Sequence, residues 1–122
     1  MFLAIFVITF IILILIELIL ECYDKYKMWR RYNEDYEIIM KTLPFIENII
    51  AMKNNIPRGE IYFNDLYYEY NNKEELILSF KHYIYLTLKL YEKISENPLF
   101  SVSLEEKNYE LKEIKSKISM LE

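Results

Sequence analysis

Glycine and proline are scarce in this sequence, with one and three copies among 122 residues. Tight turns between strands need residues that tolerate a positive φ, and glycine is the usual one. A domain of this length with a single glycine is therefore predicted to be all-α, with Asn and Pro residues closing its loops.

The residue types that build common catalytic and metal sites are also nearly missing. One cysteine, Cys22, and one histidine, His82, can form neither an intrachain disulfide nor a Cys/His zinc cluster. A phosphate-binding loop or a dinucleotide fingerprint needs several glycines. Helical spacing puts His82 on a polar face with Glu75 and Lys89, where it would be solvated and poorly oriented as a base. We therefore expect no enzyme activity, no metal and no cofactor.

No large excess of either charge is present. The chain has 15 basic and 19 acidic residues, a formal net charge of −4. A basic footprint of the kind that binds nucleic acid is not evident, so nucleic acid is not an expected partner. The sequence neither indicates nor excludes a small-molecule ligand.

Polar residues almost disappear in the N-terminal part, where residues 2–20 contain only Thr9 and Glu17. As a helix this run is about 28 Å long, close to the ~30 Å hydrocarbon core of a bilayer. A cleaved signal peptide would add a basic start and a small-residue cleavage site, and neither is recognisable. The alternative, a buried core helix, would need more chain to cover it. Residues 1–22 are thus predicted to be a transmembrane anchor, and residues 23–122 a helical domain.

Basic and aromatic residues follow the anchor directly, whereas no Lys or Arg precedes it. The positive-inside rule then predicts a single-pass protein with its N-terminus outside and its C-terminal domain in the cytoplasm. The basic residues could bind anionic headgroups, or they could only set the topology. The predicted membrane-interface residues are Lys25, Lys27, Trp29, Arg30 and Arg31.

Glu17 interrupts the apolar run near its cytoplasmic end. In that position a glutamate can mark the membrane boundary at small cost. Alternatively, its 4-3-4 spacing with Phe6, Phe10 and Leu13 places all four on one helix face, which could contact a partner helix or line a pore. Both interpretations stay open.

Helical periodicity continues beyond the anchor as far as Pro44, which is predicted to end or kink the first helix. Apolar and aromatic residues repeat here at 3-4-3-4 spacing, the seam of a coiled coil or bundle helix. The seam is predicted to face the core or to join a second copy. Its members are Trp29, Tyr32, Tyr36, Ile39 and Leu43.

Two further helices are indicated in the C-terminal part. Asn72 and Glu75 form a partial capping box for one of them, and Ser103 and Glu106 form the same pattern for the other. Each carries a periodic apolar face. These faces comprise Leu76, Phe80, Tyr83, Ile84, Thr87, Tyr91 and Ile94 in the first helix, and Leu104, Leu111, Ile114, Ile118 and Leu121 in the second.

Residues 61–70 are crowded with tyrosine and are predicted to form either a short helix from Asn64 or a brief extended stretch. Tyrosine supplies contact area at low entropic cost, so this cluster also suits a protein interface, with Tyr62 and Tyr67 as candidates. The alternative is that the rings cap one end of the domain.

Together these patterns predict an all-α protein in which one N-terminal transmembrane helix continues into a cytoplasmic bundle of three to four helices. The expected function is a membrane-anchored protein-interaction module: an adaptor, scaffold or accessory subunit. Its partners would be another protein or a second copy, and membrane lipid. One alternative is an oligomeric pore-forming or membrane-disrupting effector of phage or defence type. A weaker one is a lipid or small-ligand sensor that uses residues 61–70 as a pocket wall.

Overall fold

The computed structural model describes residues 1–54, 56–64 and 66–121, apart from the side chain of Leu121. The chain is mostly helical (81%) and has one long apolar N-terminal helix. In order, the elements are α1 (Phe2–Ala51), β1 (Gly59–Phe63), β2 (Leu66–Tyr70), α2 (Lys73–Ile94), α3 (Pro98–Ser101), a 3₁₀ turn (Val102–Leu104) and α4 (Glu105–Leu121).

Helix α1 runs without interruption for 50 residues, about 75 Å. Pro44 lies inside it, so of the two outcomes predicted for this proline, an end or a kink, the helix end is wrong. Proline has no N–H to donate to the carbonyl of Met40, one turn earlier, and this loss normally disfavours the helix. Beyond the proline, however, Ile46 and Ile49 are buried in the core, and their burial holds the last turns in helical form.

The first 22 residues of the chain extend away from the rest of the described structure. Every residue from 2 to 22 is exposed, and none of the apolar window is buried inside the protein. The helix is long and apolar enough to span a membrane. A core helix would instead be covered on all sides, so this structure does not bear out the core alternative.

Strands β1 and β2 pair antiparallel as a β-hairpin, so the all-α expectation is wrong for this segment. The extended alternative is confirmed, and the short helix from Asn64 is not formed. Asn64 adopts a φ of 56° in the turn, a conformation that asparagine tolerates better than most residues. The hairpin therefore needs no glycine in its turn. Gly59 instead faces Tyr70 across the strands, where a Cβ would lie 2.5 Å from the tyrosine hydroxyl.

Helix α2 runs antiparallel to α1, with contacts at both ends of the pair. At one end Lys25 Nζ bonds to the carbonyl oxygen of Lys93 (2.7 Å), and at the other Lys73 Nζ bonds to that of Ile50 (2.9 Å). The predicted N-cap is confirmed, because the Asn72 side chain accepts from the backbone N–H of Glu75. The predicted apolar face is also confirmed. Leu76, Phe80, Tyr83, Ile84, Thr87 and Ile94 are buried and Tyr91 is half-buried.

Helix α4 lies parallel to α1 and closes the core on the side of Tyr32. Its apolar seam is confirmed for Leu104, Leu111, Ile114 and Ile118, all of which are buried. The side chain of Leu121, also predicted for this seam, lies outside the described part of the chain.

Helix α4 begins at Glu105, within one residue of the predicted start, but the chain already turns helical at Pro98. Asn97 caps that first turn by accepting from the N–H of Leu99 (3.1 Å). Ser103 lies in the 3₁₀ turn, where its hydroxyl donates to the carbonyl of Phe100 (2.9 Å) and accepts from Trp29 Nε1 (2.9 Å). The serine thus joins the turn to α1 and does not act as an N-cap.

Candidate membrane and protein interfaces

The end of the folded domain nearest the anchor is held to α1 by Lys25. Its ammonium donates to the carbonyl of Lys93 (2.7 Å) and to Glu96 Oε2 (2.8 Å), at the C-terminus of α2. A cation in this position satisfies a helix-terminal carbonyl. The hydrogen bond and charge of Lys25 lower the pKa of Glu96. Lys25 therefore fastens α2 to the first turn of α1 beyond the anchor.

The other predicted membrane-interface residues fall into two groups. Trp29 is half-buried through its bond to Ser103, and its ring stacks on Tyr26 at 5.9 Å. Lys27, Arg30 and Arg31 are exposed, and Lys27 Nζ lies 4.6 Å from the ring centroid of Tyr23. Thus only part of the predicted set is free to reach lipid headgroups.

Four residues were predicted as a possible intramembrane contact, and α1 places them on one uninterrupted, fully exposed helix face. These are Phe6, Phe10, Leu13 and Glu17. The same side continues with Glu21 and Asp24, at the next helical spacings. The face ends in three carboxylates at the place where the helix would leave the lipid.

The aromatic seam of α1 packs within the chain. Tyr32 and Ile39 are fully buried, whereas Trp29, Tyr36 and Leu43 are partly buried against the same core. The Tyr32 hydroxyl donates to Asn108 Oδ1 of α4 (3.3 Å). In this conformation Tyr32 and Ile39 offer no surface to a second copy.

Tyr36, at the edge of this seam, ties α1 to α4. Its hydroxyl donates to Glu110 Oε2 at 2.6 Å. Burial, together with this hydrogen bond to a carboxylate, raises the pKa of Tyr36 to about 12. The phenol therefore stays protonated, and the contact stays intact, throughout the neutral pH range.

The hairpin has two chemically different faces. On the inner face, Phe63 is fully buried and stacks on Tyr83 of α2, with ring centroids 4.8 Å apart. On the outer face, Tyr62 and Tyr67 pair across the strands with centroids 5.0 Å apart, and both are exposed. The inner face fixes the hairpin to α2, and the outer face is left to solvent.

Two glutamates lie next to the exposed tyrosines on the same face. Glu60 and Glu69 are cross-strand partners, and the Tyr67 hydroxyl donates to Glu69 Oε1 (2.8 Å). That hydrogen bond is the main cause that raises the pKa of Tyr67. We call Glu60, Tyr62, Tyr67 and Glu69 the tyrosine patch. Sequence reasoning selected the two tyrosines; the alternation of the strands would have added the two acids.

Asp35 was not singled out from the sequence, yet it joins three elements. It is only 5% exposed and accepts hydrogen bonds from the Tyr83 hydroxyl of α2 and from Asn64 Nδ2 of the hairpin turn (3.2 Å). Arg31 Nε lies 3.8 Å from its other oxygen. A buried carboxylate with these donors is a structural joint that sets where the hairpin sits.

A shallow cavity of about 280 Å³ opens beside this joint. Leu66 is the hairpin residue in its wall. The ligand-sensor alternative predicts that residues 61–70 form the wall of such a pocket. The wall mixes cations with one carboxylate. Its lining residues are Arg31, Asp35, Leu66, Tyr83, Leu86, Lys89, Leu90 and Lys93.

His82 lies on the exposed face of α2, as predicted. Its ring lies 6.2 Å from that of Tyr85 and 6.1 Å from that of Tyr68, between centroids. Among the described residues, no group of three or more His, Cys, Asp or Glu side chains is placed to hold a metal ion.

Comparisons with known proteins assign no family. The chain matches no protein-family model, no curated protein and no solved structure. We therefore base the functional proposal on the contacts and exposures described above.

Proposed function

We propose that this chain is a single-pass membrane protein whose C-terminal domain presents the tyrosine patch to a protein partner in the cytoplasm. It would act as an adaptor, scaffold or accessory subunit. The observation that carries this proposal is the pairing of an uncovered apolar helix with an exposed aromatic surface on one chain.

The membrane part of the proposal is supported by the exposure of residues 2–22. Exposing such an apolar helix to water costs free energy. The lipid core offers the apolar surroundings that the rest of the chain does not provide. Orientation is supported by the basic residues, which all follow the anchor. By the positive-inside rule they keep the folded domain on the cytoplasmic side.

The binding part is supported by the chemistry of the tyrosine patch. Tyrosine is enriched among the residues that dominate binding energy at protein interfaces. Here the Glu60–Glu69 pair lies next to the pair of exposed rings on one face of the strands, a surface that suits a Lys or Arg side chain through cation–π contact and ion pairing. The expected partner is therefore a basic peptide segment. The patch is small, so we expect transient binding.

Photo-crosslinking tests this interface. With p-benzoylphenylalanine in place of Tyr62, irradiated cells should yield a discrete crosslinked protein band. The matched control is the same replacement at Tyr109 on α4, because the two tyrosines are 67% and 66% exposed. The Tyr62 product should disappear when Glu60 and Glu69 are both changed to Lys, since a basic partner would then be repelled. Identical products from both positions would contradict the proposal.

The uncovered face of the anchor favours a second candidate, an assembling or pore-forming protein. Three carboxylates, Glu17, Glu21 and Asp24, follow Leu13 on one side of α1. Of these, Glu17 lies deepest in the span, where a carboxylate is better stabilised facing a water-filled interior or a partner helix than facing lipid. Several copies of α1 would then assemble with these carboxylates facing one another in the interior.

Replacing Glu17 with Leu tests whether the carboxylates of this helix face take part in assembly. If copies assemble through this face, the substitution should reduce the oligomer fraction in mild detergent and abolish ion leakage in expressing cells. Glu37→Leu is the control, because Glu37 is an exposed glutamate of the same helix beyond the span. An unchanged oligomer and leak in Glu17→Leu would leave Glu17 as a boundary residue and the anchor as a passive one.

A further inference from the structure

Two apolar side chains lie exposed at the end of the folded domain that adjoins the anchor. Leu99 is 82% exposed and Val102 is 62% exposed. Single exposed apolar residues are ordinary on protein surfaces. These two, however, are three residues apart in one helical turn, so they share a face.

The turn that carries them has a defined inner side. Ser101 and Leu104 are buried and Phe100 packs partly against the core, which leaves Leu99 and Val102 directed outward. The Asn97 cap fixes the start of the turn. The segment from 98 to 104 is thus a short, anchored amphipathic element and not a loose loop.

Its position relative to α1 is set by hydrogen bonds on both sides of it. Before the segment, Glu96 is bonded to Lys25 at 2.8 Å; within it, Ser103 is bonded to Trp29 at 2.9 Å. Along α1, Lys25 lies about 4.5 Å and Trp29 about 10 Å beyond Cys22. The headgroup layer extends about 5–8 Å from the hydrocarbon edge. If the span ends near Cys22, the start of the segment lies at the depth of the headgroups and its end lies at their outer edge.

We propose that residues 98–104 form a second contact with the same membrane, in which Leu99 and Val102 enter the interface between headgroups and acyl chains. This inference rests on the proposed transmembrane anchor. Apolar side chains at that depth leave water without breaking any contact in the protein. Tyr26, exposed on the neighbouring turn of α1, supplies an aromatic residue of the kind that prefers the same layer.

The occupant of this face is a lipid surface because of where α1 leads. Helix α1 is continuous from the apolar span into the domain, so the bilayer surface must lie beside the end of the domain that carries Leu99. With two contacts, the span and the turn, the domain cannot swing freely about its anchor. The tyrosine patch would then be held at a fixed orientation to the membrane.

Site-directed probes on the full chain in phosphatidylcholine vesicles test this contact. In a Cys22→Ser background, an environment-sensitive fluorophore is attached to Leu99→Cys and, separately, to Val102→Cys. The matched control is Leu78→Cys on α2, because Leu78 is also exposed (57%). It lies about 22 Å along α2 from Lys93, away from the anchor. Ile12→Cys in the span reports whether the anchor itself is in lipid.

The expected result is a blue-shifted emission at positions 99 and 102 and quenching by acyl-chain bromolipids roughly threefold stronger than at position 78. Probes at 99 and 102 that behave like the one at 78, with position 12 strongly quenched, would overturn this contact and leave the anchor standing. An unquenched probe at position 12 would overturn the proposed anchor, and this inference with it.

Discussion

Deleting residues 2–22 is expected to transfer the protein from the membrane fraction to the soluble fraction. On insertion scales each Leu, Ile, Phe or Val in the span contributes about −0.3 to −0.6 kcal/mol, which sums to the order of 5 kcal/mol. At ~1.4 kcal/mol per tenfold change, the membrane-bound population should fall by more than a thousandfold. The first buried core residue is Tyr32, so the deletion removes no part of the core.

Fractionation after carbonate extraction measures this change, and circular dichroism of the shortened chain verifies that it remains folded. The full chain, treated in parallel, is the control and should stay in the pellet. A shortened chain that resists extraction, or a full chain that is extracted, would contradict a transmembrane role for residues 2–22. Weak vesicle binding by the shortened chain before extraction would be consistent with the contact at Leu99.

The long helices were predictable because their signals are local. In α2, the Asn72 cap and the periodic apolar residues from Leu76 to Ile94 agree with each other, and the structure follows them. In α1, the absence of glycine and proline before Pro44 predicts continuity, and the apolar run predicts an uncovered helix. These predictions need only spacing and composition.

The scarcity of glycine predicts an all-α chain, yet it leaves room for one hairpin. The left-handed conformation costs a non-glycine residue only about 1–2 kcal/mol, and asparagine less than most. Asn64 therefore takes the positive φ in the turn that glycine usually supplies. The sequence signal for a strand was the alternation of Glu60 and Tyr62 with the apolar Ile61 and Phe63. In the structure the first two are exposed, whereas Ile61 is half-buried and Phe63 is buried.

Pro44 shows how tertiary contacts override a local penalty. A proline inside a helix costs about 3 kcal/mol, and sequence alone therefore favours a helix end. Burying Ile46 and Ile49 in the following turns contributes about 1.5–3 kcal/mol for each side chain, which offsets the penalty. The balance depends on what α2 and α4 place against those residues.

Some residues of the candidate surfaces can be predicted from residue type, and others depend on tertiary contacts. Tyr62 and Tyr67 were found from residue type alone, since exposed tyrosine clusters suit interfaces. Leu99 and Val102 were not, because their significance depends on the bonds that bring their turn to Lys25 and Trp29. Asp35 was missed for a similar reason. Arg30–Glu34 and Arg31–Asp35 have the same spacing along α1, yet only the second acid is buried.

That pair of neighbouring acids allows a matched test of the buried joint. Asp35→Ala is expected to reduce the free energy of unfolding by about 2–3 kcal/mol, because the buried Tyr83 hydroxyl loses its carboxylate acceptor and Asn64 loses its tie to α1. Glu34→Ala removes an exposed ion pair of the same spacing and should cost no more than about 0.5 kcal/mol.

Urea unfolding of the full chain in mild detergent measures both values through the fluorescence of Trp29, the one tryptophan of the sequence. Its indole is bonded to Ser103, so emission reports whether the 3₁₀ turn stays docked on α1. Equal midpoints for the two variants would show that Asp35 is not a joint. A selective loss in Asp35→Ala would also predict weaker crosslinking at Tyr62, because a hairpin that is no longer tied to α1 presents its patch in many orientations.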